Sequence, residues 1–352
     1  MSNFFNLLKT FIKTTELTSA EKKRSKHFYT IMGTAVVLLI MIPAGALVGI
    51  ITYALTLGVM TYGGATQGAE VILHIISILS VVFGINVIIN IFYFSNDIEN
   101  LIPLPLKPRE IVSAKFAYSL LSENIMEFIL ILGACVGFMS AKGFSLTGVI
   151  TSIIGILTVP IIPLAYCGII AVIFMYFTHS VKNRDFLNKI TGIGTAVLIV
   201  GALVALVSIS GFNPDAIVTS LASADNGFLN VMNFIFPHIP LMMDSISSES
   251  VYQLLLYLLA NVIFVAVFLF IASKMYIKGV SDINTTKSKR SKSIASQAVE
   301  KSTQKGVFAS YLKKEFLILF RTPPFFMDCI AINLLWPVFM AVIMILQGST
   351  NF

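Results

Sequence analysis

Apolar positions in this chain fall in long unbroken runs, not in the strict alternation of half-buried strands. A helix crossing a hydrocarbon layer of roughly 30 Å needs about 20 apolar residues. Windows 31–57, 71–94, 116–139, 149–177, 190–212, 251–273 and 325–347 meet that length. Continuous runs exclude a membrane barrel, whose strands alternate, and helices are the other structure that satisfies its own backbone groups in lipid. The expected fold is therefore an all-α integral membrane protein, a polytopic bundle of about seven transmembrane helices. The first window is far longer than a signal-peptide core of about 7–15 residues, so it is expected to stay as an uncleaved anchor.

Composition sharpens this picture. The 352 residues are 57% apolar and 12% charged, against about 25% charged in a soluble domain, and mean hydropathy is +0.89. The net charge of +7 would raise nucleic-acid binding in a soluble protein. Here the distribution of Lys and Arg explains it. They crowd into 1–30, 95–115, 178–189 and 274–324, and only Lys142 of the 24 lies elsewhere. Basic residues are retained on the cytoplasmic side. The expectation is a multi-pass protein of the plasma membrane with a cytoplasmic N-terminus, an external C-terminus, attraction to anionic membrane lipid and no nucleic-acid partner. Cys135, Cys167 and Cys329 all sit in apolar windows, and the four His lack zinc-ligand spacing, so neither a disulfide nor a metal site is expected.

Four stretches organise the chain. Residues 1–30 hold an amphipathic helix, with Phe4, Leu7, Leu8, Phe11 and Ile12 at helical spacing, and a basic segment. Residues 31–276 form a six-helix unit, and 277–306 a basic cytoplasmic linker rich in Ser, Thr and Lys. In 307–352 the opening pattern returns: Phe308, Tyr311, Leu312, Phe316 and Leu319 share a face and lead into the seventh window. This reads as the start of a second half, with the missing helices lost or carried by another chain; a chance Lys-rich juxtamembrane segment is the alternative. The apolar external segment 228–243, with Pro237 and Pro240, suggests a re-entrant pair of short helices.

The loop between the second and third windows is the most informative segment. Pro103, Pro105 and Pro108 punctuate it, and Pro108-Arg109-Glu110 suits the first turn of a helix running to Lys115. Leu101, Ile102, Leu104 and Leu106 have no use in a solvated connector. Framed by Asp97, Glu99, Lys107 and Arg109, they describe an apolar docking surface with a charged rim. A loop folded back on its own bundle is the competing reading.

The run D-I-E-x-L-I-P-L-P-L-x-x-x-E-I-x-x-x-K, from Asp97 to Lys115, resembles the first cytoplasmic loop of exporter-type (type 2 class) ABC transporter permeases. The interfacial helix, the six spans, the external re-entrant segment and the K-E-x-x-x-x-x-R-T-P stretch from Lys314 to Pro323 are similar to that class as well. The resemblance implies that 97–115 contains a coupling helix docking into a separate cytoplasmic ATPase. Leu101, Leu104 and Leu106 would anchor it, and Lys107 and Arg109 would make the rim contacts, beside Asp97, Glu99, Glu110 and Lys115. No G-x-x-x-x-G-K-[ST] occurs, so no cofactor is expected on this chain and ATP would act through the partner subunit. A second permease half or a homodimer would complete the pore.

Polar residues inside the windows are the remaining candidates. Glu123 and Glu127 are spaced i, i+4, as are Asn86 and Asn90 on the preceding window. Their distances from the loop suggest two rungs, Asn90 with Glu123 and Asn86 with Glu127, since an intramembrane carboxyl should face protein or water. They would transmit coupling motion or line a route, or simply pack the helices. Gly45-x-x-x-Gly49 and Gly133-x-x-x-Gly137 are close-packing motifs. An ATP-driven export permease without its own active site leads. An ion-coupled secondary transporter, a truncated or regulatory membrane protein and an intramembrane enzyme are the alternatives.

Overall fold

The computed structural model describes residues 2–18, 26–93, 106–177, 218–219, 221–222 and 227–300, and the side chains of most of those up to residue 276. Among these the elements are helical: α1 Ser2–Thr18, α2 Lys26–Thr61, α3 Gln67–Tyr93, α4 Pro108–Lys142, α5 Leu146–Thr158, α6 Ile161–Phe177, α7 Gly227–Ile235, α8 His238–Ser248 and α9 Val251–Glu300. Stretches Met41–Thr61, Gln67–Phe92, Leu146–Ile173 and Val251–Tyr276 are long and apolar enough to cross a membrane. The two arms of α4, Pro108–Ile125 and Glu127–Lys142, make a fifth if the 59° bend between them lies within one span. The architecture among the described residues is all-helical, with four to five helices long and apolar enough to cross a membrane. Windows 190–212 and 325–347, and the second amphipathic helix, lie outside them.

Local chemistry sets the helix ends. α2 stops where Gly63 takes φ 85°, and Gly64 N–H returns to Val59 O at 3.1 Å. Gln67 Oε1 accepts from the N–H groups of Ala65 and Thr66 at the start of α3. α4 opens as its sequence predicts, with Pro108 at the first turn and the Glu110 carboxylate accepting from Lys107 N–H at 3.2 Å. It closes at Gly143, φ 111°. Ser145 then caps α5 by accepting from Gly148 N–H at 3.0 Å. Pro160, which has no N–H to give, separates α5 from α6.

The bend in α4 has a local cause. Asn124 Nδ2 donates to Leu120 O of its own helix at 3.1 Å and to Leu157 O of α5 at 3.3 Å, which puts a side chain into the backbone ladder where the helix turns.

Small residues let the spans meet. The two glycine motifs pack against each other: a Cβ on Gly133 would lie 2.1 Å from Gly45 O, and one on Gly137 2.3 Å from Gly49 O. α2 and α4 therefore cross backbone to backbone. Elsewhere Phe268 of α9 sits over Gly168 of α6, and Met242 of α8 over Gly155 of α5. Two large apolar cores result, beside a smaller one around Val59, Val71 and Leu229. One joins α1, the C-terminal part of α3, the start of α4, α6 and α9 around Phe92, Phe116 and Phe268. The other joins α3, α4, α5, α8 and α9 around Phe138, Met242 and Tyr257.

The expected pair of short helices is present as α7 and α8, joined at Phe236 and Pro237 and packed on α3, α5 and α9. α9 runs on to Glu300, so residues 277–300 of the expected basic linker are helical. Residues 281–300 contain neither Gly nor Pro, and their Lys, Ser, Ala and Gln tolerate a helix as readily as a coil.

Candidate functional site

At the loop end of the bundle, α1 lies against the start of α4. Leu7 and Phe11 are buried in the first core beside Ile111 and Val112, and the Phe11 ring packs on Tyr118 with centroids 6.2 Å apart. Leu106 packs half-buried on the same core. Lys107 and Arg109 are exposed, while Glu110 is engaged in the cap. Asp97, Glu99, Leu101 and Leu104 lie outside the described residues.

Lys115 departs from its expected place on a docking surface. It is 1% exposed, donates from Nζ to Ile91 O at 2.7 Å and lies 5.6 Å from the Phe11 ring centroid. Its charge ties α1, α3 and α4 together, and Tyr276 of α9 adds a bond to Phe92 O at 2.9 Å. Lys107 and Arg109 thus stand exposed at the start of α4, on a corner braced by three helices.

α3 and α4 pair in a different register from the expected rungs. Asn90 Nδ2 donates to Asn86 O of its own helix at 2.8 Å. A Cβ on Gly84 would lie 3.9 Å from Glu123 Oε1, and Glu127 faces Ser80. With Lys115 opposite Ile91, the three pairs agree on one antiparallel register, displaced by about six residues from the pairing of Asn90 with Glu123 and Asn86 with Glu127. The expected rungs assumed that both helices leave the loop at equal depth. Tight contact instead requires Gly84 and Ser80, the small side chains of α3, to face the carboxyls. Glu123 and Glu127 are buried, and the Glu127 oxygens and Glu123 Oε1 complete no hydrogen bond.

A second polar cluster lies at the opposite end. His74 Nε2 donates to Asn233 Oδ1 of α7 at 2.7 Å, Thr66 Oγ1 donates to Glu70, and His238 of α8 is buried between Phe236 and Tyr257. Lys142 Nζ binds Ser247 O at 2.5 Å and Thr151 shares a 3.1 Å bond with Ser245, pinning α8 over α4 and α5. These residues are up to 159 positions apart in the chain. The signal available in the sequence was a lone His inside an apolar window facing another beside Pro237, and it carries no distance information. Among the described residues no group of His, Cys, Asp and Glu could hold a metal ion.

No protein-family model, curated protein or solved structure matches this chain.

Proposed function

We propose that this chain is the membrane-spanning permease subunit of an ATP-binding cassette exporter, in which a separate cytoplasmic ATPase drives export through the loop 97–115. The observation that carries the reading is the loop end itself. Lys107 and Arg109 stand exposed at the start of a helix whose next turns are locked to α1 and α3 by Ile111, Val112 and Lys115. A push on that rim would pass into α4 instead of being lost in a mobile loop. The sequence from Asp97 to Lys115 supplies the chemistry of the dock, apolar anchors inside a charged frame.

The same reading places seven spans in the plasma membrane, the N-terminus inside and the C-terminus outside, in keeping with the charge asymmetry of the loops. ATP is bound by the partner, and a second permease half or a second copy completes the translocation unit. The test is co-purification from native membrane in mild detergent. A P-loop ATPase should accompany the wild type and be lost from a variant carrying Lys107→Glu, Arg109→Glu and Leu104→Asp. Retention of the ATPase by that variant would refute the coupling role.

A further inference from the structure

Docking at the loop leaves Glu123 and Glu127 of α4 without a task. Glu123 and Glu127 are 1% and 4% exposed, lie one turn apart and flank the 59° bend. Ser80 of α3 is fully buried, is turned toward Glu127, and leaves its hydroxyl unpartnered, as does Ser77 one turn away.

From α6, Cys167 Sγ lies with Glu123 Oε1 at Gly84 and donates to Val81 O at 3.3 Å. On α4 the nearest basic side chain toward the loop, Lys115, is committed to Ile91 O. No basic side chain among the described residues acts on either carboxyl. Two neighbouring carboxylates out of water with no cation beside them repel each other and lose their hydration, so the site must take up positive charge.

A metal ion is a poor match. Hard cations call for about six or more oxygens, and at Gly84 the site is closed by Leu164 and Cys167 instead. We propose that Glu123, Glu127 and Ser80 form an exchangeable proton-binding site inside the bundle. A proton binds one carboxylate oxygen and cancels one charge of the pair. On its release the Ser80 hydroxyl is placed to donate to the carboxylate left behind. Because the two carboxyls sit on opposite arms of the α4 bend, occupancy of the site acts on the angle between them. The proposal stands apart from the exporter reading, since it needs no ATPase.

The test uses the full chain in lipid nanodiscs treated with dicyclohexylcarbodiimide, a hydrophobic reagent that modifies protonated carboxyls, with adducts mapped by mass spectrometry. The expected result is an adduct on Glu123 or Glu127 whose yield falls several-fold as pH rises, is the same in sodium and choline chloride, and disappears in Glu123→Gln/Glu127→Gln. Exposed Glu249 serves as the unlabelled reference. Absence of an adduct at every pH, a yield independent of pH, or suppression by sodium alone would each overturn the proposal. The wild-type profile decides the matter even if the double variant does not fold.

Discussion

Replacing Gly133 by Ala tests whether α2 and α4 meet backbone to backbone. The added Cβ would stand 2.1 Å from Gly45 O and 2.9 Å from Gly45 C, and neither atom can swing aside as a side-chain tip would. Relieving the contact requires the helices to part by about 1 Å, which undoes the packing at Gly49 and Gly137 as well. Overpacking of this kind costs about 1–3 kcal/mol. The better helix propensity of Ala returns up to ~1 kcal/mol, so a net loss of about 1–2 kcal/mol is expected. Unfolding in mixed detergent with rising dodecyl sulfate, followed by circular dichroism, measures it. Gly227→Ala is the control, because a Cβ there meets nothing within 4 Å. If Gly133→Ala unfolded at the same point as Gly227→Ala, the close crossing would be refuted.

Two other substitutions probe the ends of the bundle. Lys115→Met keeps the buried stem but removes the donor to Ile91 O. A hydrogen bond from a charged group is worth about 1.5–3 kcal/mol, so the variant should unfold earlier in the same titration, and a gain in stability would show that burying the charge dominates. Tyr257→Phe deletes the 2.5 Å bond shared with Thr158. It should cost about 0.5–1.5 kcal/mol, and Thr158→Val in that background should add little, a coupling that a double-mutant cycle reads directly.

The parts of the structure that were legible in the sequence are those set by local rules. Apolar window length marked the four to five helices long and apolar enough to cross a membrane, Pro108 and Glu110 marked the start of α4, and the spacing of Gly45, Gly49, Gly133 and Gly137 marked close packing. Which motif met which was not readable, because a glycine face has no label for its partner. The register of α3 on α4 differs from the expected one for a related reason. Distance from the loop is a weaker constraint than the fit of Glu123 against Gly84. The motif places Lys115 in the coupling loop, yet its long stem lets the ammonium reach a backbone carbonyl from inside the core. The contacts of His74 with Asn233 and of Met242 with Gly155 join distant segments, and periodicity holds no information about them.

The central claim is that α4 is driven from its exposed rim, and the most direct measurement is a pull-down of the full chain from native membrane, wild type against Lys107→Glu/Arg109→Glu. Both residues are exposed and outside the packed corner, so the variant should unfold with the wild type. The account predicts that a soluble ATPase accompanies the wild type and falls at least tenfold in the variant. Equal recovery from both chains, or no ATPase with either, would contradict it.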